Sequence, residues 1–243
     1  MVVLVTGSSR GIGRSIILEY AKRGLDVVIN YHKNDEAAKE LEEEVKEKYD
    51  VRVLTIKCDV SKEEEVEKMI NQIIDEFGRL DILVNNAGVS RDTMFMDIRV
   101  KDFKRILDVN LIGAYLCSKY ALKEMLNNKK GNIVNISSTN AIDTYYPESA
   151  CYDASKAGII SLTHNLAIEG APFVRVNAIC PGWVNTDMNK NLSIDQIEEE
   201  KKGILLNKFG DPKEIAKVVV FVSSSEASYV NDSVIRVDGG KYN

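Results

Sequence analysis

The sequence predicts a doubly wound α/β fold, a parallel seven-stranded sheet in a single domain with helices on both faces. Three observations predict it. Short β-branched runs alternate with longer amphipathic segments, and a glycine-rich turn follows the first run at once. The third is that 44% of the 243 residues are hydrophobic, enough to bury one sizeable core. Residues 1–243 are accordingly read as one domain.

The first strand is Val2-Val3-Leu4-Val5, and Thr6-Gly7 ends it. Six further runs follow: Val27 to Ile29, Val51 to Leu54, Ile82 to Val84, Ile133 to Ile136, Val174 to Ala178 and Ser233 to Val237. Between them lie stretches with helical spacing. Asp35 to Lys48 carries Ala38, Leu41 and Val45 on one stripe, and Glu63 to Phe77 carries Val66, Ile70, Ile73 and Ile74. The glutamates from Glu40 to Glu47 read as the solvated face of the first of these helices.

Composition removes several classes of function. Lys and Arg number 32 against 37 Asp and Glu, a net charge of −5, so neither nucleic acid nor an anionic membrane is an expected partner. The opening run is too short for a signal peptide or a span. Cys58, Cys117, Cys151 and Cys180 form no CxxC pair, and with only His32 and His164 beside them no metal site is expected. Buried, reduced thiols in a cytoplasmic protein is the reading.

The turn Thr6-Gly7-Ser8-Ser9-Arg10-Gly11-Ile12-Gly13 leads into a helix holding Ile16, Ile17, Leu18 and Tyr20. Strand, turn and helix in this order aim backbone N–H groups and a helix N-terminus at a pyrophosphate. The glycines at 7, 11 and 13 do not fit the G-x-G-x-x-G spacing. A second constellation is Tyr152 and Lys156, four apart in a helical segment and so on one face. A phenol exchanging a proton near neutrality needs its anion stabilised, which a lysine can do. Ser138 lies just beyond the strand Ile133 to Ile136, at the sheet end where such folds place ligands.

These motifs, together with Cys58-Asp59-Val60, Asn85-Asn86-Ala87-Gly88, Asn110 and Pro181-Gly182 with Thr186, resemble the short-chain dehydrogenase/reductase family over essentially the whole chain. The resemblance implies a Rossmann-type nicotinamide-binding enzyme. It implies that Ser138 holds the substrate oxygen, Tyr152 transfers the proton, Lys156 lowers the tyrosine pKa and holds the nicotinamide ribose, and Asn110 completes a water relay. It assigns the cofactor to Gly7, Ser9, Arg10, Gly11, Ile12, Gly13, Asn30, Asp59, Val60, Asn86, Ala87, Gly88, Tyr152, Lys156, Pro181, Gly182, Val184 and Thr186. Ala141, three residues after Ser138, picks that serine over Ser137 and Thr139. The interval from Ser138 to Tyr152 is one residue longer than in typical relatives.

Cofactor choice is read at the end of the second strand, where an acid would bind a ribose 2′-hydroxyl; this chain has Asn30. Arg10, with His32 and Lys33 nearby, suits a 2′-phosphate. NADP is expected over NAD by more than tenfold in kcat/KM, about 1.4 kcal/mol or more. The rival to an enzyme is a nucleotide-binding sensor that keeps the fold without the chemistry, but all four catalytic positions are filled.

Within the family the resemblance is to 3-oxoacyl-(acyl-carrier-protein) reductases, in Asn85 to Asp92 and Thr186 to Met188. This implies reduction of a 3-oxoacyl thioester. Of two basic places for an acidic acyl carrier protein, one carries Lys129 and Lys130; the other, Gly170 to Phe173, lacks its arginine. The loop Asp143 to Ser149 instead carries two aromatics and two carboxylates that suit a sugar or polyol, the alternative substrate class. Met188 to Leu206 is read as a mobile lid. Leu111 to Cys117 and Ala154 to Ile168 are apolar on several faces, which points to a homotetramer.

Overall fold

A computed structural model of the chain describes residues 1–190 and 192–241. Asn191, inside the expected lid, and the last two residues of the expected domain lie outside the described residues. The strands are β1 (Val2–Val5), β2 (Asp26–Tyr31), β3 (Val53–Lys57), β4 (Ile82–Asn85), β5 (Gly131–Ile136), β6 (Val174–Pro181) and β7 (Val234–Val237). The helices are α1 (Gly11–Lys22), α2 (Asp35–Lys48), α3 (Glu63–Phe77), α4 (Val100–Leu107), α5 (Gly113–Asn127), α6 (Ala150–Gly170), α7 (Ile194–Lys202) and α8 (Pro212–Ser223).

All seven strands pair in parallel, in the order β3-β2-β1-β4-β5-β6-β7. Successive side chains of a strand face opposite ways, so β1 feeds two cores at once. Val2 and Leu4 join α3, α5 and α6 on one face; Val3 and Val5 join α1, α2 and α8 on the other. Burial on both faces explains why the strands read as continuous apolar runs. The strand order reverses between β1 and β4, which opens a crevice at their C-terminal ends.

The third strand sits later than its sequence suggests. Val51 and Arg52 precede it, and the ladder runs from Val27 opposite Val53 to Tyr31 opposite Lys57. Register with β2, not local β-propensity, sets its ends. Asn110 occupies a π-helical turn, Asp108–Ile112, between α4 and α5. One extra residue per turn there re-aims its side chain into the crevice.

Candidate active site

The glycine turn is shaped by contacts no side chain would allow. Gly7 has φ +61°, and a Cβ there would fall 2.8 Å from the Ala87 Cα; one on Gly13 would fall 2.5 Å from the Asn86 Nδ2. Thr6 fixes the neighbouring loop, its hydroxyl accepting from the Asn86 and Ala87 N–H groups at 3.0 Å each. The Asn86 amide donates to the Thr6 and Gly7 carbonyls. No described side chain caps α1, so the N–H groups of its first turn are left to a ligand. Arg10 is the N-cap residue, and its mostly exposed guanidinium lies 3.7 Å from Asp187.

Asn30 corrects the sequence expectation. It is 1% exposed, and its Oδ1 accepts from the Gly7 N–H at 3.0 Å while its Nδ2 donates to the Ile56 and Cys58 carbonyls at 3.4 and 3.2 Å. Its amide is spent behind the turn, so it does not face a ribose. Tyr31 ends β2, His32 and Lys33 follow it out of the sheet, and His32 reaches within 3.6 Å of Asp59. Burial raises the Asp59 pKa, but hydrogen bonds from Ser61 and the charges of Arg105 and His32 outweigh it and hold the carboxyl below its ordinary value. Val60 packs against Gly113, where a Cβ would meet its Cγ2 at 2.8 Å.

Ser138, Tyr152, Lys156, Asn110 and Gly88 gather at the ends of β4 and β5. Lys156, 4% exposed, donates to the Ile136 carbonyl at 2.7 Å, and its Nζ is 5.6 Å from the Tyr152 ring centroid. Asn110 accepts from the Val89 N–H at 2.8 Å and donates to the Val89 carbonyl and the Ser155 hydroxyl. A Cβ on Gly88 would sit 3.5 Å from the Asn110 Oδ1 and 3.6 Å from the Lys156 Nζ. The Ser138 hydroxyl exchanges hydrogen bonds with Asn140 at 3.2 Å, and Asn140 is held by Asp153. Asn140 and Asp153 were not legible as site residues, because only the fold brings them beside Ser138.

Burial sets the charge states here. It pushes the Tyr152 phenol up to about 12, with the Ser138 hydrogen bond opposing it, and pushes the Lys156 ammonium down to about 8. The resemblance implied a tyrosine lowered by its lysine. Here Lys156 donates to a backbone carbonyl, and Ser138 is what favours the phenolate.

The far wall is the segment after β6. Gly182 packs on Asp238 and donates to the Val237 carbonyl at 3.2 Å; Val184 is buried and bridges to Gly210. Thr186 faces Gly11, where a Cβ would lie 3.6 Å from its Cγ2. Gly11, Thr186, Asn189, Ile197 and Phe209 help line a cavity of about 450 Å³. The loop before Tyr152 is already engaged: Asp143 pairs with Arg236, the Tyr145 hydroxyl donates to the Ile142 carbonyl, and that of Tyr146 to Glu200. Of the four groups that suggested a polyol, Asp143 and both tyrosine hydroxyls are therefore bonded within the protein. Lys129 lies over the Phe173 ring, 5.9 Å from its centroid, so the two places read for a carrier protein adjoin.

A crevice at the strand-order reversal, bordered by a glycine turn and holding a Ser, Tyr and Lys, is what sequence and structure comparisons then place. Residues 7–242 match a family model described as enoyl-(acyl carrier protein) reductase. Two double mutants of a Serratia marcescens short-chain dehydrogenase/reductase superpose with a TM-score of 0.93 at 32% identity, covering 98% of this chain and 96% of theirs. The chain belongs to the short-chain dehydrogenase/reductase family. It is thus an oxidoreductase of CH–OH and C=O groups, in a family that uses nicotinamide cofactors.

Within that family the chain is 40% identical over 241 residues to the 3-oxoacyl-(acyl-carrier-protein) reductase FabG of Staphylococcus aureus, covering 98% of this chain and 97% of the relative. The Aquifex aeolicus FabG is 40% identical over 242 residues, covering 99% and 97%. The Synechocystis 3-oxoacyl-(acyl-carrier-protein) reductase is 38% identical over 241, covering 98% and 96%. Among the described residues no helix is long and apolar enough to cross a membrane. The four cysteines are buried and unpaired, as expected from the sequence.

Proposed function

We propose that residues 1–243 act as one cofactor-binding domain that reduces a 3-oxoacyl thioester to its 3-hydroxyacyl product with NADPH. The observation that carries the substrate is the near-full-length identity, 40%, to 3-oxoacyl-(acyl-carrier-protein) reductases. The uncapped α1 N-terminus and the side-chain-free approach at Gly7, Gly11 and Gly13 fit a pyrophosphate. Asp59, Val60, Asn86, Ala87 and Gly88 border the adenosine side; Pro181, Gly182, Val184 and Thr186 border the nicotinamide side. When bound, the nicotinamide supplies the hydride.

The chain's own groups handle the oxygen and the proton. Ser138 donates a hydrogen bond to the substrate carbonyl oxygen, and Tyr152, protonated well past neutrality, gives that oxygen its proton. Lys156 sits near enough to stabilise the phenolate left behind, and Asn110 and Gly88 border the path by which water returns the proton. Arg10 stands exposed at the turn where a 2′-phosphate would lie, which supports NADPH. Lys129 and Lys130 offer positive charge to an acidic carrier. Ile112, Tyr115 and Ile168 remain exposed on α6 and around α5, which supports burial between copies in a homotetramer.

The test is NADPH oxidation with acetoacetyl thioesters on coenzyme A and on carrier protein, run beside a crotonyl thioester and beside NAD(P)+ reduction with aldoses. Turnover of the acetoacetyl thioesters above the others is expected. Turnover of the enoyl thioester or the aldoses alone would overturn the substrate assignment.

A further inference from the structure

Helix α7 reaches Tyr146 and Trp183 through the Glu200 carboxylate. Helix α7 buries none of its own residues, and its ion pairs Lys201–Glu198 and Lys202–Glu199 are internal to it. Its flanks are fixed by two backbone hydrogen bonds downstream and one side-chain amide upstream. Leu205 and Leu206 donate to the Gly240 and Gly239 carbonyls, and upstream the Asn189 amide donates to the Val184 carbonyl. Between these anchors Glu200 points its Oε2 at two donors from separate elements, the Tyr146 hydroxyl at 2.8 Å and the Trp183 indole N–H at 2.8 Å. The donors are themselves 3.1 Å apart. Trp183 is stacked on Phe209 with ring centroids 5.4 Å apart and planes 8° from parallel, and Tyr146 meets it edge-on at 5.8 Å.

We propose that Glu200 is the latch of the lid, a positioning residue that holds α7 over the cleft beside Gly11 and Thr186 and so sets how long the cofactor stays bound. One acceptor oxygen meets both donors, and the aromatic stack keeps those donors oriented. Phe209 and Ile197 line the cavity beneath the lid, so loosening α7 opens that wall. The latch also reaches the catalytic helix. The Ser149 hydroxyl lies 2.8 Å from the Asp153 carboxylate and 3.1 Å from the Tyr146 carbonyl, sharing its one proton between them, so Tyr146 adjoins the first turn of α6. The inference rests on reading the cleft as the cofactor site, but the latch itself can be observed without cofactor.

Trp183 is the only tryptophan of the chain, so its emission reports the latch. The experiment measures acrylamide quenching of Trp183 in the free full-length protein, and stopped-flow NADPH release, for wild type, Glu200→Leu, Glu200→Gln and Tyr146→Phe. Glu200→Leu removes the acceptor; Glu200→Gln keeps a carbonyl oxygen in its place. We expect quenching to rise and NADPH release to quicken about tenfold in Glu200→Leu, to stay within about twofold in Glu200→Gln, and to change about threefold in Tyr146→Phe. KM for NADPH should rise with kcat held or increased. Wild-type quenching in a folded Glu200→Leu, or in Tyr146→Phe if the leucine variant does not fold, would overturn the latch. So would equal loss in the glutamine variant. If the wild type binds no NADPH, the cofactor reading fails while the quenching still decides the latch.

Discussion

Changing Asn30 to Asp separates two accounts of cofactor choice. By sequence position the new acid should bind a ribose 2′-hydroxyl and turn the enzyme towards NADH. By structure it should not, because the side chain is buried behind the glycine turn. The substitution replaces the Nδ2 donor with an oxygen that faces the Ile56 and Cys58 carbonyls at 3.4 and 3.2 Å. Losing two hydrogen bonds costs about 1–3 kcal/mol together. Burying a carboxylate against two carbonyl oxygens at 1% exposure adds a few more, only partly offset by a stronger bond from the Gly7 N–H. The sum is about 3–5 kcal/mol at pH 7, a large share of a domain's stability. The buried acid's pKa is raised above its unfolded value of about 3.9, so the loss should be smallest near or below pH 4 and grow as pH rises. Urea denaturation at pH 7 and pH 4, with kcat/KM for both cofactors, measures this. An Asn30→Asp protein of unchanged stability that prefers NADH would refute the reasoning.

Arg10→Ala should cut kcat/KM for NADPH about tenfold, or about 1.4 kcal/mol, and leave NADH nearly unchanged; an equal loss with both cofactors would remove Arg10 from 2′-phosphate binding. Lys156 gives a pH signature, since burial sets its ammonium at about 8 while Tyr152 stays protonated to about 12. Reduction measured as kcat/KM should be level from pH 6 to 7 and fall above about 8, and a profile flat to pH 10 would contradict that assignment. The same depressed pKa means the unfolded chain binds more protons between about 8 and 10.4, so stability should rise with pH across that window; Lys156→Met should abolish the rise in a denaturation series. Gly13→Ala places a Cβ 2.5 Å from the Asn86 Nδ2 and 2.9 Å from the Gly7 carbonyl oxygen, so it should cost about 1–3 kcal/mol in thermal unfolding and weaken NADPH binding.

Those predictions draw on features of unequal legibility. The seven strands could be read because burial on both faces makes each an apolar run, as in Val2–Val5. Their ends could not: Val53–Lys57 is bounded by its pairing with β2. The Tyr152 and Lys156 pair was legible because four residues on a helix is a local relation. Asn30 was misplaced because a polar residue at a strand end looks the same whether it faces a cleft or bonds the turn behind it. That Glu200, Tyr146 and Trp183 form one cluster was not legible, because they are separated by 17 to 54 positions and joined only by the fold. In the Asp143 to Ser149 loop, Asp143 and Tyr146 have partners, Arg236 and Glu200, that only the fold brings to them.

The central claim is that Tyr152 delivers the proton in an NADPH-dependent carbonyl reduction. Tyr152→Phe removes the hydroxyl and keeps the ring, so NADPH affinity measured by fluorescence titration should stay within about threefold. NADPH oxidation with an acetoacetyl thioester should fall about a hundred- to ten-thousand-fold. A Phe variant that binds NADPH and still turns over at the wild-type rate would contradict the account.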